Sequence, residues 1–84
     1  MRLPVIKNII SFIEENDEDY ITECIDVLEN LSQSKSLKED EIDVLGEIIS
    51  NLYGAVEVNK SIKNGFQKRE ALNKFMTRVT QSLK

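Results

Sequence analysis

Apolar residues recur along this chain at intervals of three and four almost from its first residue. Ile6, Ile9, Ile10 and Ile13 follow the i, i+3, i+4, i+7 spacing that lines one side of an α-helix, and Val5 and Phe12 widen the stripe. Lys7, Asn8, Ser11, Glu14 and Glu15 occupy the other side. Pro4 suits the first helical position, where its missing N–H costs nothing. A first helix is therefore predicted over residues 4–15. A second stripe follows in Ile21, Cys24, Ile25, Leu28 and Leu31, flanked by Tyr20 and Val27. Asn16 reads as its N-cap, with Asp17, Glu18 and Asp19 in the first turn against the positive end of the helix dipole. After the polar connector Ser32–Lys35, Ser36 and Glu39 have the spacing of a capping box and predict a third helix from near Leu37. It runs to Lys63, where Asn64-Gly65 supplies a left-handed stop. A fourth helix is predicted from about Gln67 to Leu83. Its stripe is Leu72, Phe75, Met76, Val79 and Leu83, with Lys74 and Arg78 outside. Period-two alternation is not sustained anywhere, so no strand is predicted. Short connectors make neighbouring helices antiparallel. The expected fold is all-α: a small antiparallel four-helix domain over residues 1–84, with a long central third helix.

The third helix carries two apolar stripes. One is Ile42, Leu45, Ile49, Leu52, Tyr53 and Val56; the other is Val44, Ile48, Ala55, Val58 and Ile62. A helix apolar over most of its circumference is normally central. Gly46, Ser50 and Gly54 add a line of small residues at four-residue spacing. Each interior glycine costs about 1 kcal/mol relative to alanine, which points to a compensating contact. That contact is either a close crossing by helix one or four, or a kink, or a seam for self-association.

Composition narrows the chemistry. The chain has 84 residues, no histidine, no tryptophan, one cysteine and three glycines. It is too short to bury much surface, so regular packing or oligomerisation is expected to supply stability. An intramolecular disulfide and a structural zinc site both lack the residues they need. A lone thiol suits a reducing cytoplasm. The formal charge of −4 speaks against general nucleic-acid binding. No stretch approaches a membrane span. The charge is also uneven: residues 1–43 carry 12 acidic and 4 basic side chains, whereas residues 44–84 carry 3 and 7. Either the two halves attract within one molecule, or the acidic half meets the basic half of another copy or of a partner.

Reactive constellations are few. Glu14, Glu15, Asp17, Glu18 and Asp19 cluster, but a calcium loop starting at Asp17 would have Thr22 at its sixth position and Leu28 at its twelfth, where glycine and glutamate are needed. Nothing sets an acid inside an apolar stripe, as raised-pKa catalysis requires. Cys24, on the second helix's stripe, reads as a buried inert thiol. Lys60, Lys63, Lys68 and Arg69 gather around Phe66 and read as a solvated corner with Phe66 tucked beneath it. No catalytic, metal or cofactor-binding residue is expected.

Leu3-Pro4-Val5-Ile6-Lys7, Ser50 through Val58 and Glu70 through Met76 together resemble a family of short uncharacterised bacterial all-helical proteins. The resemblance implies a standalone cytoplasmic helical protein of unknown function, acting alongside thiol-redox proteins without being an oxidoreductase. It also draws attention to Asn51, Tyr53 and Glu57 as polar positions on the third helix. The expected interface set is Gly46, Ser50, Gly54, Asn51, Tyr53, Glu57 and Val58. The expected role is a non-enzymatic interaction or adaptor protein, a homodimer with a further protein partner, touching neither nucleic acid nor membrane. Two other classes stand beside it. One is an acidic regulator occupying the basic site of a nucleic-acid-binding protein or enzyme; the other is a small enzyme or metal carrier using clustered carboxylates.

Overall fold

The computed structural model describes residues 1–82. Leu83, expected on the fourth stripe, lies outside the described residues. Four helices follow in order: α1 Leu3–Glu15, α2 Asp19–Leu31, α3 Glu39–Lys63 and α4 Lys68–Ser82. Among the described residues there is no strand.

Local chemistry explains where the helices begin and end, and corrects two expected caps. Asn16 does not cap α2. It stands in extended conformation at the end of α1, and its Nδ2 donates to the Phe12 carbonyl at 3.1 Å. Asp17 holds the entry to α2 instead, its carboxylate accepting the Asp19 N–H at 3.1 Å. Nor does Ser36 open α3. The N-cap is Lys38, whose N–H donates to Oε1 of Glu41 at 2.8 Å. Glu41 reaches back three residues as a capping-box acid does, and so moves the start past Leu37. Glu39, Asp40 and Glu41 in the first turn of α3, and Lys60 and Lys63 in its last, complement the helix dipole. The expected stop at Asn64-Gly65 is present. Gly65 has φ +106°, Phe66 N–H donates to the Ser61 carbonyl at 3.2 Å, and Gly65 N–H donates to the Ile62 carbonyl at 3.1 Å. That pair of bonds is a Schellman motif, which needs glycine at the left-handed position.

All three other helices pack on α3. Arg2 at the start of α1 reaches Glu47 and Asn51, while Glu18, just past its end, reaches Asn59 and Lys63. Helix α1 therefore runs beside α3 in the same direction. The chain then returns: α2 lies antiparallel to α3, with Glu29 beside Tyr53. Helix α4 is antiparallel to α3 and to α1, with Phe75 against Gly54 and Lys68 paired with Glu14 at 3.2 Å. Consecutive helices are antiparallel, as expected. The core is Ile6, Ile10 and Ile13 of α1, Ile21 and Ile25 of α2, Leu52, Ala55 and Val58 of α3, and Ala71, Leu72 and Phe75 of α4.

That core engages only part of α3. Every buried residue of α3 lies between Asn51 and Asn59, and none lies in its first twelve positions, Glu39–Ser50. The reason is the position of Arg2: α1 begins beside Glu47 and Asn51, so the helical line it covers is left open on the N-terminal side. Val44 and Ile48 sit on that line and are exposed. The molecule is accordingly flat, measuring 42 × 34 × 17 Å. Its radius of gyration is 13.7 Å, against roughly 12 Å for a compact chain of this length.

Candidate interaction surfaces

Two surfaces stay outside the core, one on α3 and one on α1 and α2. The first is the arc facing away from α1. At 100° per residue, Gly46, Ser50, Tyr53 and Glu57 share it, and all are exposed. A Cβ at Gly46 would meet nothing within 4 Å. Glu57 is paired with Arg78 of α4. The Tyr53 ring, 49 % exposed, extends toward α2 and bonds to Glu29.

The other three members of the expected interface set belong to the interior, and this corrects the reading of them as surface. Gly54 is buried where α1 and α4 cross α3: a Cβ there would lie 3.0 Å from Cζ of Phe75 and 3.3 Å from Cδ1 of Ile6. The glycine is the close crossing, and the small-residue line is interrupted as a seam at that point. Val58 is in the core. Asn51 is 2 % exposed; its Oδ1 accepts the Arg2 N–H at 2.9 Å and its Nδ2 donates to the Glu47 carbonyl at 2.8 Å. It ties the first residue before α1 to α3. Asn59 is its counterpart at the other end of α1, donating to Glu18 at 2.8 Å. Sequence reasoning missed both roles. The available signal was spacing: Asn51 and Asn59 lie four residues either side of Ala55, on the buried line.

Tyr53 gives this arc a titration signature. Its hydrogen bond to Glu29 raises the hydroxyl pKa above the usual 10.0, and the negative charges of Glu29 and Asp26 add to the effect. Folding thus favours the protonated hydroxyl. The contribution is fully present below pH 10 and is lost as pH rises through the higher folded-state value. In a Tyr20→Phe background, absorbance titration of the remaining tyrosine is expected to place its midpoint above 10.0, and Glu29→Gln is expected to lower it. A midpoint unmoved by Glu29→Gln would remove Glu29 as the cause.

The second surface is broader and apolar. The Phe12 and Tyr20 rings meet edge to face, with centroids 6.0 Å apart. From there Tyr20, Cys24, Val27 and Leu31 run along the outside of α2 at helical spacing, and all four are exposed. Cys24 is therefore not the buried thiol expected; it lines a shallow depression with Ile9, Phe12 and Tyr20. Of the expected α2 stripe, Ile21 and Ile25 are buried and Leu28 packs against the core, whereas Cys24 and Leu31 are exposed. Val27 is 65 % exposed and Val44 57 %, unusual values for valine in a folded chain. Phe66 is also partly exposed rather than tucked away, with Lys74 Nζ 4.4 Å from its ring centroid.

Among the described residues, no three acidic, cysteine or histidine side chains converge as metal ligands. No helix there is long and apolar enough to cross a membrane. Fold and surfaces together define a small all-α protein organised around one central helix, with large apolar side chains exposed on α1, α2 and α3. The chain belongs to the family of unknown function DUF6952, whose family model matches residues 1–84. No curated protein and no solved structure matches it.

Proposed function

We propose that this chain is a non-enzymatic interaction protein of the cytoplasm, a rigid helical platform that dimerises and presents its apolar face to a protein partner. The observation that carries this reading is the exposure of Phe12, Tyr20, Val27, Leu31, Val44 and Ile48 on a molecule of 84 residues. Contiguous apolar patches on small soluble proteins are usually covered by something. Dimerisation is assigned to the arc of α3 where Gly46 and Ser50 let a second backbone come close. The place beside thiol-redox proteins rests on the family resemblance alone; the chain itself contributes one exposed thiol, Cys24.

The dimer is tested by light scattering at two protein and two salt concentrations. The wild type is expected to have twice the chain mass of 9.6 kDa, independent of salt, and Gly46→Leu the single-chain mass. Because the space around Gly46 is open, that substitution leaves the fold intact. A monomer throughout removes dimerisation from the proposal. The interaction role is tested by cross-linking in cells. If wild type and Val27→Asp give the same products, the apolar face has no partner and the role is wrong. The acidic-regulator alternative predicts instead that any partner is lost steeply as salt rises.

A further inference from the structure

The apolar face has a charged frame, and the frame says what fits it. On α2, Glu23 flanks the Cys24–Val27–Leu31 line. On α3, Asp40, Glu41 and Glu47 flank Val44 and Ile48, and Glu15 stands near Phe12 on α1. Of the basic side chains near this face, Arg2 is paired with Glu47, and Lys35 and Lys38 lie in the connector at one end. Lys60, Lys63, Lys68, Arg69, Lys74 and Arg78 belong to the end of α3 and to α4. An isologous contact between two copies through this face would set the acidic frame against itself, which is unfavourable. A partner with basic residues around an apolar stripe meets both features.

We infer that this face is a binding groove for a basic amphipathic helix of another protein. The inference rests on the interaction role proposed above and specifies its partner. The line from Tyr20 to Leu31 spans about 17 Å along the helix, three turns. It therefore matches a partner helix whose apolar anchors recur at three- and four-residue spacing. Ile9 and Phe12 of α1 border the Tyr20–Cys24 end of that line, and Val44 and Ile48 of α3 are exposed as well. The partner's lysines and arginines lie over Glu15, Glu23, Asp40 and Glu41.

The test uses three synthetic peptides of about 18 residues, roughly 27 Å as helices. The first has leucines at helical spacing and lysine elsewhere. The second replaces the lysines by glutamate, and the third alternates leucine and lysine strictly. Binding is read by fluorescence anisotropy, and occupancy of the groove by the rate at which a thiol reagent modifies Cys24. The first peptide is expected to bind about tenfold or more tighter than either control. It should weaken by at least about tenfold between roughly 50 and 300 mM salt, and slow Cys24 modification. Val27→Asp and Val44→Asp decide between a groove and a mere attraction of charges. Each makes the face more acidic, so simple charge attraction predicts tighter binding, whereas the groove predicts its loss. Both positions are more than half exposed, so the helices persist, as circular dichroism will verify. Equal binding of all three peptides, unchanged Cys24 reactivity, or tighter binding by the aspartate variants overturns the inference. So does a wild-type dimer that either aspartate substitution dissociates, since the occupant is then a second copy. That last result leaves the interaction role standing; loss of both the peptide and every cellular cross-link takes the role with it.

Discussion

Gly54→Leu is expected to destabilise the fold by about 3 kcal/mol or more. A Cβ at position 54 would lie 3.0 and 3.2 Å from two carbons of the Phe75 ring and 3.3 Å from Cδ1 of Ile6. Both neighbours are core residues, so they have little room to retreat. Overpacking by a few carbons typically costs about 1–3 kcal/mol, and leucine adds four. A chain of 84 residues has roughly 4–13 kcal/mol in total to lose. Gly54→Ala separates the competing terms. Alanine gains about 1 kcal/mol of helix propensity and loses a similar or larger amount to the ring contact. In wild-type context alanine is expected to be neutral to destabilising. In a Phe75→Leu background, with the ring gone, the same change is expected to stabilise. Urea unfolding followed by circular dichroism measures all four corners of this cycle. A leucine variant with an unchanged midpoint would show that α1 and α4 do not close on α3 here.

Removing the ring itself is the second large change. Phe75 is 5 % exposed and packs on Gly54 from one side, with the Arg78 guanidinium 5.6 Å from the ring centroid. Phe75→Ala leaves a cavity at the point where three helices converge and is expected to cost about 3–5 kcal/mol. For a domain of this size that corresponds to a fall in melting temperature of at least roughly 12 °C. Arg78→Ala, which leaves the ring in place, is expected to lose less than about 1 kcal/mol, because its partner Glu57 is exposed. Similar losses from both substitutions would mean that the ring is not part of the core.

Much of the architecture was readable from spacing alone. Isoleucines at positions 6, 10 and 13 announced the buried side of α1, and all three are core residues. The end of α3 was readable because a left-handed turn demands glycine, and Gly65 has the required positive φ. The caps were harder. Asn16, Asp17 and Ser36 each had chemistry suited to opening a helix, and several such side chains within a few residues compete. Asp17, bonded to the Asp19 N–H, and Glu41, bonded to the Lys38 N–H, are the side chains that hold these entries.

The surface was the least legible part. Val27, Leu31, Val44 and Ile48 all lie at helical spacing, so nothing local distinguishes them from core residues. The exposure of Val44 and Ile48 follows from the crossing point of α1, which begins beside Glu47 and Asn51 and leaves the first half of α3 uncovered; that of Val27 and Leu31 follows from their place on the outside of α2. Asn51, Gly54 and Val58 invert the case: they suggested a seam because they share a helix with Gly46 and Ser50, yet three-helix contact encloses them.

Helix content, helix order and the central place of α3 follow from contacts between residues three and four apart, which the chain order alone dictates. Which arc of α3 is enclosed, and which is left for a partner, depends on contacts between residues 40 or more positions apart, such as Arg2 with Asn51 and Glu18 with Asn59. No periodicity encodes where one helix must start along another. Only the packed tertiary structure, in which the short α1 can cover just one half of the long α3, settles it.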